Sequence, residues 1–159
     1  MKYPGTISVT EETYEMLLTD ICASLRTHGF KRIMLIGDSG GNQAGMKKVT
    51  EKLNQKWTGG KTTLHYIPEY YDFAQVTKWL EREGIQQENE GLHDDFAMTA
   101  MMMAVDPESV RASQRIQAGK FRINGVNLAP AEKTIEWGRK NVEFRAEATV
   151  KAFRSSLTR

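Results

Sequence analysis

The sequence holds one cysteine, Cys22, in 159 residues. That excludes an intrachain disulfide framework and points to a reducing, cytoplasmic setting. Cys22 falls in an amphipathic pattern, where a small core residue is expected. No apolar run approaches the roughly 20 residues needed to span a bilayer. Met1-Lys2-Tyr3-Pro4-Gly5 lacks the apolar stretch of a secretory signal, so no membrane partner is expected. Charge of one sign is scarce too. Twenty-two Lys and Arg against twenty Asp and Glu leave a net charge of +2, too small to argue for nucleic acid. Arg139, Lys140, Arg145, Lys151, Arg154 and Arg159 are interleaved with Glu143 and Glu147, as on a solvated helix face. With no internal repeat, low-complexity segment or long linker, 1–159 reads as a single domain able to bury a real core.

The most informative stretch is Ile33-Met34-Leu35-Ile36-Gly37-Asp38-Ser39-Gly40-Gly41-Asn42-Gln43. Four apolar residues without alternation suit a strand buried on both faces. The glycines then permit a tight turn and close backbone approach. Such a turn delivers Asp38, Ser39 and Asn42 to the carboxyl end of a strand, where open α/β sheets bind ligands. A plain βα turn with no chemistry fits the same letters. Gly-Asp-Ser-Gly-Gly also matches the nucleophile motif of trypsin-like proteases, but those are all-β and this motif lies between strand and helix. Gly-Asp-Ser esterases need a later Asp-x-x-His, and no Asp here has a His three residues on.

Helix signals flank this turn. Thr10 caps a helix carrying Tyr14, Leu17, Leu18, Ile21 and Leu25, and Gly29 ends it. A strand covers 32–36. Met46, Val49, Leu53 and Trp57 mark the next helix, closed by Gly59-Gly60. The second strand covers 62–67, and Pro68 stops it; His65 falls within it and reads as structural. Tyr70 lies in the next loop, again at a strand's carboxyl end. Phe73, Val76 and Leu80 give a third helix. After Gly91-Leu92-His93-Asp94-Asp95 comes a run apolar on all sides, 96–105, expected to be buried. The segment 108–129 is the least readable, with Phe121 and Ile123 suggesting a short edge strand. A last helix begins at Pro130, with Ile135, Val142, Ala146, Val150 and Phe153 as its apolar stripe. The order indicates an α/β layered fold in which only two strands are secure.

Several segments, in order, resemble the creatininase family of amidohydrolases over nearly the whole chain. Tyr3-Pro4-Gly5-Thr6-Ile7-Ser8 is similar to the family's Phe-Pro-Gly-Thr-Ile-Ser. His28-Gly29-Phe30-Lys31-Arg32-Ile33 resembles its helix-to-strand junction. Gly37-Asp38-Ser39-Gly40-Gly41-Asn42 is similar to its Asn-Gly-His-Gly-Gly-Asn. The 91–99 segment is similar to its His-Ala-Gly-Glu-x-Glu-Thr-Ser block, and 102–111 to the family's segment after that block. The resemblance implies a three-layer αβα fold with a small, mostly parallel sheet, usually assembled as a hexamer. Uncovered strand edges and apolar helix faces also lead to the expectation of a homo-oligomer, dimer or hexamer. The resemblance also implies C–N hydrolysis assisted by two divalent zinc or manganese ions, with metal-bound hydroxide as nucleophile.

The departures decide the functional expectation. Relatives carry, ahead of Phe-Pro-Gly-Thr, a strand with Glu-x-His and an Asp that hold the metals. The sequence starts at Met1 without that segment, so an N-terminally shortened domain is expected. The family's turn imidazole is Ser39 here, and the carboxylate before its Thr-Ser is Met98. A hydroxyl and a thioether are poor ligands for such ions. No metal ligand and no cofactor are therefore expected.

His93 matches the family's proton-shuttling His, and Asp94 and Asp95 are new carboxylates beside it. The expected catalytic residues are His93 and Asp95. The expected pocket adds Asp38, Ser39, Gly40, Gly41, Asn42, Tyr70 and Asp94, with a small amide or an anion as ligand. A polar cap on the apolar helix is the plainer role for Asp94 and Asp95. The expectation is a creatininase-like domain whose metal-dependent amide hydrolysis is lost or impaired. Two other readings stay open: an active hydrolase rebuilt on Ser39, His93 and Asp95, and a non-catalytic binding or oligomeric module.

Overall fold

The computed structural model describes residues 5, 7–88 and 95–158. The chain divides into two compact units, Met1–Tyr71 with Thr149–Arg159, and Asp72–Ala148. The architecture is α/β, mostly helical, with one parallel and one antiparallel pair of strands among the described residues.

In the first unit the local signals agree with one another. The Thr10 hydroxyl accepts the Thr13 N–H at 3.2 Å and caps α1 (Glu11–Thr27), a bond worth about 1 kcal/mol. Glu11 and Glu12 sit in its first turn, where the helix dipole favours anions. Gly29 ends the helix at φ 85°, a backbone angle that a side chain resists. β1 (Arg32–Leu35) and β2 (Thr63–Tyr66) run parallel, Arg32 opposite Thr63 and Leu35 opposite Tyr66. The crossover between them is α2 (Gly40–Lys56).

Ile33 and Leu64 are buried among Cys22, Val49, Leu53 and Trp57 of α1, α2 and its C-cap, with Leu35 packed against them. The opposite face carries His65. Over it lie the last turns of α6 (Ala131–Ser156): Phe153 stands edge-on to the imidazole at 5.4 Å, and Ser156 Oγ is 2.9 Å from Nδ1. Helix, sheet and helix thus form the three expected layers within this unit.

The second unit begins with Asp72, whose carboxylate accepts the Gln75 N–H at 3.1 Å and caps α3 (Phe73–Arg82). It continues with α4 (Phe96–Val105), a 3-10 turn (Pro107–Val110), α5 (Ala112–Gln117) and the first turns of α6. Its core gathers Val76, Leu80, Phe96, Ala100, Met103, Phe121 and Leu128. A Cβ at Gly138 of α6 would overlap the carbonyl oxygen of Ala100, so a missing side chain sets this helix contact.

Four expectations need correction. The apolar run of β1 is not buried on both faces, since Met34 and Ile36 just beyond the strand are exposed, whereas the short edge strand expected at Ile123 is β3 (Arg122–Ile123), which pairs antiparallel with β4 (Val126–Asn127). Asn124 and Gly125 both adopt positive φ, 45° and 80°, the backbone of a two-residue hairpin turn. α4 is not buried on all sides, since Met102 is exposed and Val105 is 87% exposed. In α1, Leu17 and Ile21 face outward while Cys22 is enclosed.

The fourth correction concerns α6. Val142 and Val150 are exposed, as is Ala146, and the buried positions include Thr134, Gly138, Asn141, Arg145 and Thr149. The close approach at Gly138 turns this polar stripe inward, and Asn141 Nδ2 donates to the Ala97 carbonyl at 3.3 Å. Arg145 is therefore no part of a solvated face. Its guanidinium lies 5.1 Å from the Phe73 ring centre, and Nη1 is 3.7 Å from Met101 Sδ.

Candidate functional site

The glycine turn leaves β1 at its carboxyl end, as the apolar run predicts. Ser39 is the N-cap of α2, with extended backbone (φ −144°, ψ 133°), and its side chain makes no capping bond. The first helical residues are Gly40, Gly41 and Asn42, and the Asn42 N–H reaches the Ser39 carbonyl at 3.1 Å. Asp38, Ser39, Gly40 and Gly41 are exposed and Asn42 is half-buried.

Gln43 fixes this turn from inside the helix. Its Nε2 donates to the carbonyls of Gly37 at 2.9 Å and Ser39 at 2.8 Å. Its Oε1 accepts from the Tyr66 hydroxyl at 2.9 Å. The turn is thereby tied to the end of β2. Sequence reasoning assigns Gln43 no role; the available signal is an amide side chain one helical turn beyond Ser39.

The loop after β2 is a 3-10 turn, Pro68–Tyr71. Tyr70 is half-buried there, and its neighbour Tyr71 meets the glycine turn. A Cβ at Gly40 would lie 3.1 Å from the Tyr71 hydroxyl, which explains a residue without a side chain at that position. The structure thus brings together the turn, Tyr66 and Tyr71 at the carboxyl ends of both strands.

The other expected residues belong to the second unit or lie outside the described residues. His93 and Asp94 are outside them. Asp95 is the N-cap of α4, and its carboxylate accepts the Met98 N–H at 2.7 Å. Gln87 Oε1 takes the Phe96 N–H at 2.7 Å, so two of the first amides of α4 are satisfied by side chains. Asp95 therefore performs the capping role that its position suggests. Met98 is half-buried in the first turn of the same helix.

His65, structural by its place in a strand, has surroundings that are polar as well as packed. Ser156 Oγ donates to the Phe153 carbonyl at 2.6 Å, so it accepts from His65 Nδ1. Burial, and then the nearby Arg32 charge, pull the imidazole below its ordinary pKa and keep it neutral at neutral pH. With its proton on a carbonyl, Ser156 is not arranged as a nucleophile with His65 as base. Among the described residues nothing meets His65 Nε2. His65 and Ser156 line a cavity of about 430 Å³ with Asn54, Trp57, Thr62 and Tyr66.

The described residues do not make a divalent metal centre. Among them, no group of three or more His, Cys, Asp and Glu side chains gathers. At the turn stands a hydroxyl, and at the start of α4 a thioether beside a carboxylate already engaged as a cap. The Ser39 hydroxyl and the Met98 thioether are each poor ligands for zinc or manganese.

Compared with known proteins, residues 1–153 match the family model described as "Creatininase: Creatinine amidohydrolase". No curated protein matches the chain. No described helix is long and apolar enough to cross a membrane.

Proposed function

The chain belongs to the creatininase family, and on that premise we propose that its metal-dependent amide hydrolysis is lost or impaired. One observation carries this reading. The turn that the resemblance supplies with an imidazole presents an exposed Ser39 hydroxyl, on a backbone held by Gln43. Met98, in place of a carboxylate, adds a soft donor where a hard one is needed.

The reading leaves a polar pocket on a creatininase-like domain. Asp38, Ser39, Gly40, Gly41, Asn42 and Tyr70 are the residues assigned to it. The uncapped N–H groups of Gly40 and Gly41 favour a small amide or an anion as ligand. His93 and Asp95 are the residues assigned to any surviving proton transfer. The buried free thiol of Cys22 agrees with a reducing, cytoplasmic setting. The same reading makes the protein a homo-oligomer.

The test is cleavage of creatinine and of simple cyclic and linear amides, with zinc or manganese supplied. The expected result is no turnover above a His93→Ala control. Turnover that His93→Ala abolishes would contradict the proposal.

A further inference from the structure

We propose that the outer edge of β1 is a docking edge for a second copy of this chain, paired antiparallel about a two-fold axis at Met34. The inference rests on the reading of a homo-oligomer and names its surface.

The two edges of the parallel sheet differ. The carbonyls of Lys31 and Leu35 accept the N–H groups of Thr63 and Ile67, at 2.9 and 3.1 Å. Peptide groups alternate in direction along a strand, so those of Arg32 and Met34 face away from β2. On β2 the outward residue is Leu64, and the Asn54 side chain closes that edge. Asn54 accepts the Leu64 N–H at 2.8 Å and donates to its carbonyl at 2.9 Å. No described residue closes the edge of β1 in this way.

The open edge is also apolar. Phe30, Met34 and Ile36 are 53%, 41% and 42% exposed, at even positions along the strand and its flanks. Unpaired backbone flanked by such side chains is a template for another strand. A two-stranded sheet is marginal by itself, whereas pairing β1 with β1 makes four strands.

Charge selects the occupant. Lys31 and Arg32 stand at the amino end of β1, and Asp38 lies beyond its carboxyl end. Antiparallel self-pairing sets the basic end of each copy beside the acidic end of the other. A two-fold axis makes the contact self-complementary. With Met34 opposite its counterpart, Arg32 opposes Ile36, so every outward-facing residue has a hydrogen-bonding position.

The experiment is sedimentation of the full chain over a range of concentrations, together with cysteine cross-linking. A hydrogen-bonded antiparallel pair has its Cα atoms about 5.5 Å apart, within disulfide reach. Met34→Cys should form a disulfide-linked dimer on mild oxidation. Ile36→Cys should not, since its counterpart lies about 13 Å away at roughly 3.4 Å per residue. Met34→Lys places like charges face to face and should raise the dimer dissociation constant at least tenfold. A wild-type oligomer that ignores Met34→Lys and leaves Met34→Cys unlinked overturns the docking edge alone. A wild-type protein that is monomeric throughout overturns the edge and the homo-oligomer together, and means that another segment or a different protein occupies it.

Discussion

Asn54 and Leu64 exchange two hydrogen bonds, 2.8 and 2.9 Å long, across the outer edge of β2. A side-chain amide here takes the place of a neighbouring strand. Asn54→Ala would leave the Leu64 N–H and C=O without these partners, at a cost of about 1–3 kcal/mol. Asn54→Asp keeps the acceptor but turns a charged oxygen toward the Leu64 carbonyl, so it should destabilise as well. Urea unfolding of both variants checks this, and an unchanged midpoint in both would contradict it.

Gly138 tests the helix contact in the second unit. Helix propensity alone predicts that Gly138→Ala stabilises by about 1 kcal/mol. The added Cβ would overlap the Ala100 carbonyl oxygen, and overpacking typically costs about 1–3 kcal/mol. The overlap should win, because backbone cannot move aside as a flexible side chain can. A lowered urea midpoint is expected; a raised one would show that α4 and α6 do not meet at this position.

His65 gives the fold a pH dependence of known sign. Burial, and then Arg32, lower its pKa in the folded chain. The unfolded chain therefore binds this proton at higher pH. The contribution is fully present above about pH 6.5, the unfolded value. It is lost as the pH falls from there toward the folded pKa. The urea midpoint should fall between about pH 7.5 and 5, and fall less in His65→Asn. An equal fall in both proteins would assign the dependence to other groups.

Gln43 tests the glycine turn. Gln43→Leu removes the bonds to the Gly37 and Ser39 carbonyls and the one from Tyr66. Hydrogen exchange of the Asn42 amide, which is bonded to the Ser39 carbonyl, should quicken at least tenfold, while Val49 and Leu53 amides of α2 stay protected. Unchanged exchange at the turn would mean that Gln43 does not hold it.

Much of the fold is legible in the sequence because its punctuation is local. Thr10, Gly29 and the Gly37–Asn42 turn act within a few residues, and each ends or starts an element where the letters place it. The inward face of α6 is not legible. Val142, Ala146 and Val150 of its apolar stripe point outward, because Gly138 against Ala100 selects the face, and that contact joins residues 38 positions apart. Arg145 and Asn141 are drawn inside by the same contact. At the site, the turn and the Asp95 cap are readable. The Gln43 clamp and the approach of Tyr71 to Gly40 depend on how β1 and β2 pair. His93 and Asp94 lie outside the described residues.

The central claim is that this creatininase-family chain no longer holds its metals. Dialysis of the purified protein against excess zinc or manganese, then against metal-free buffer, with elemental analysis at the end, tests it most directly. The account predicts far less than one bound ion per chain. One or two ions retained per chain, and lost in His93→Ala or Asp95→Ala, would contradict it.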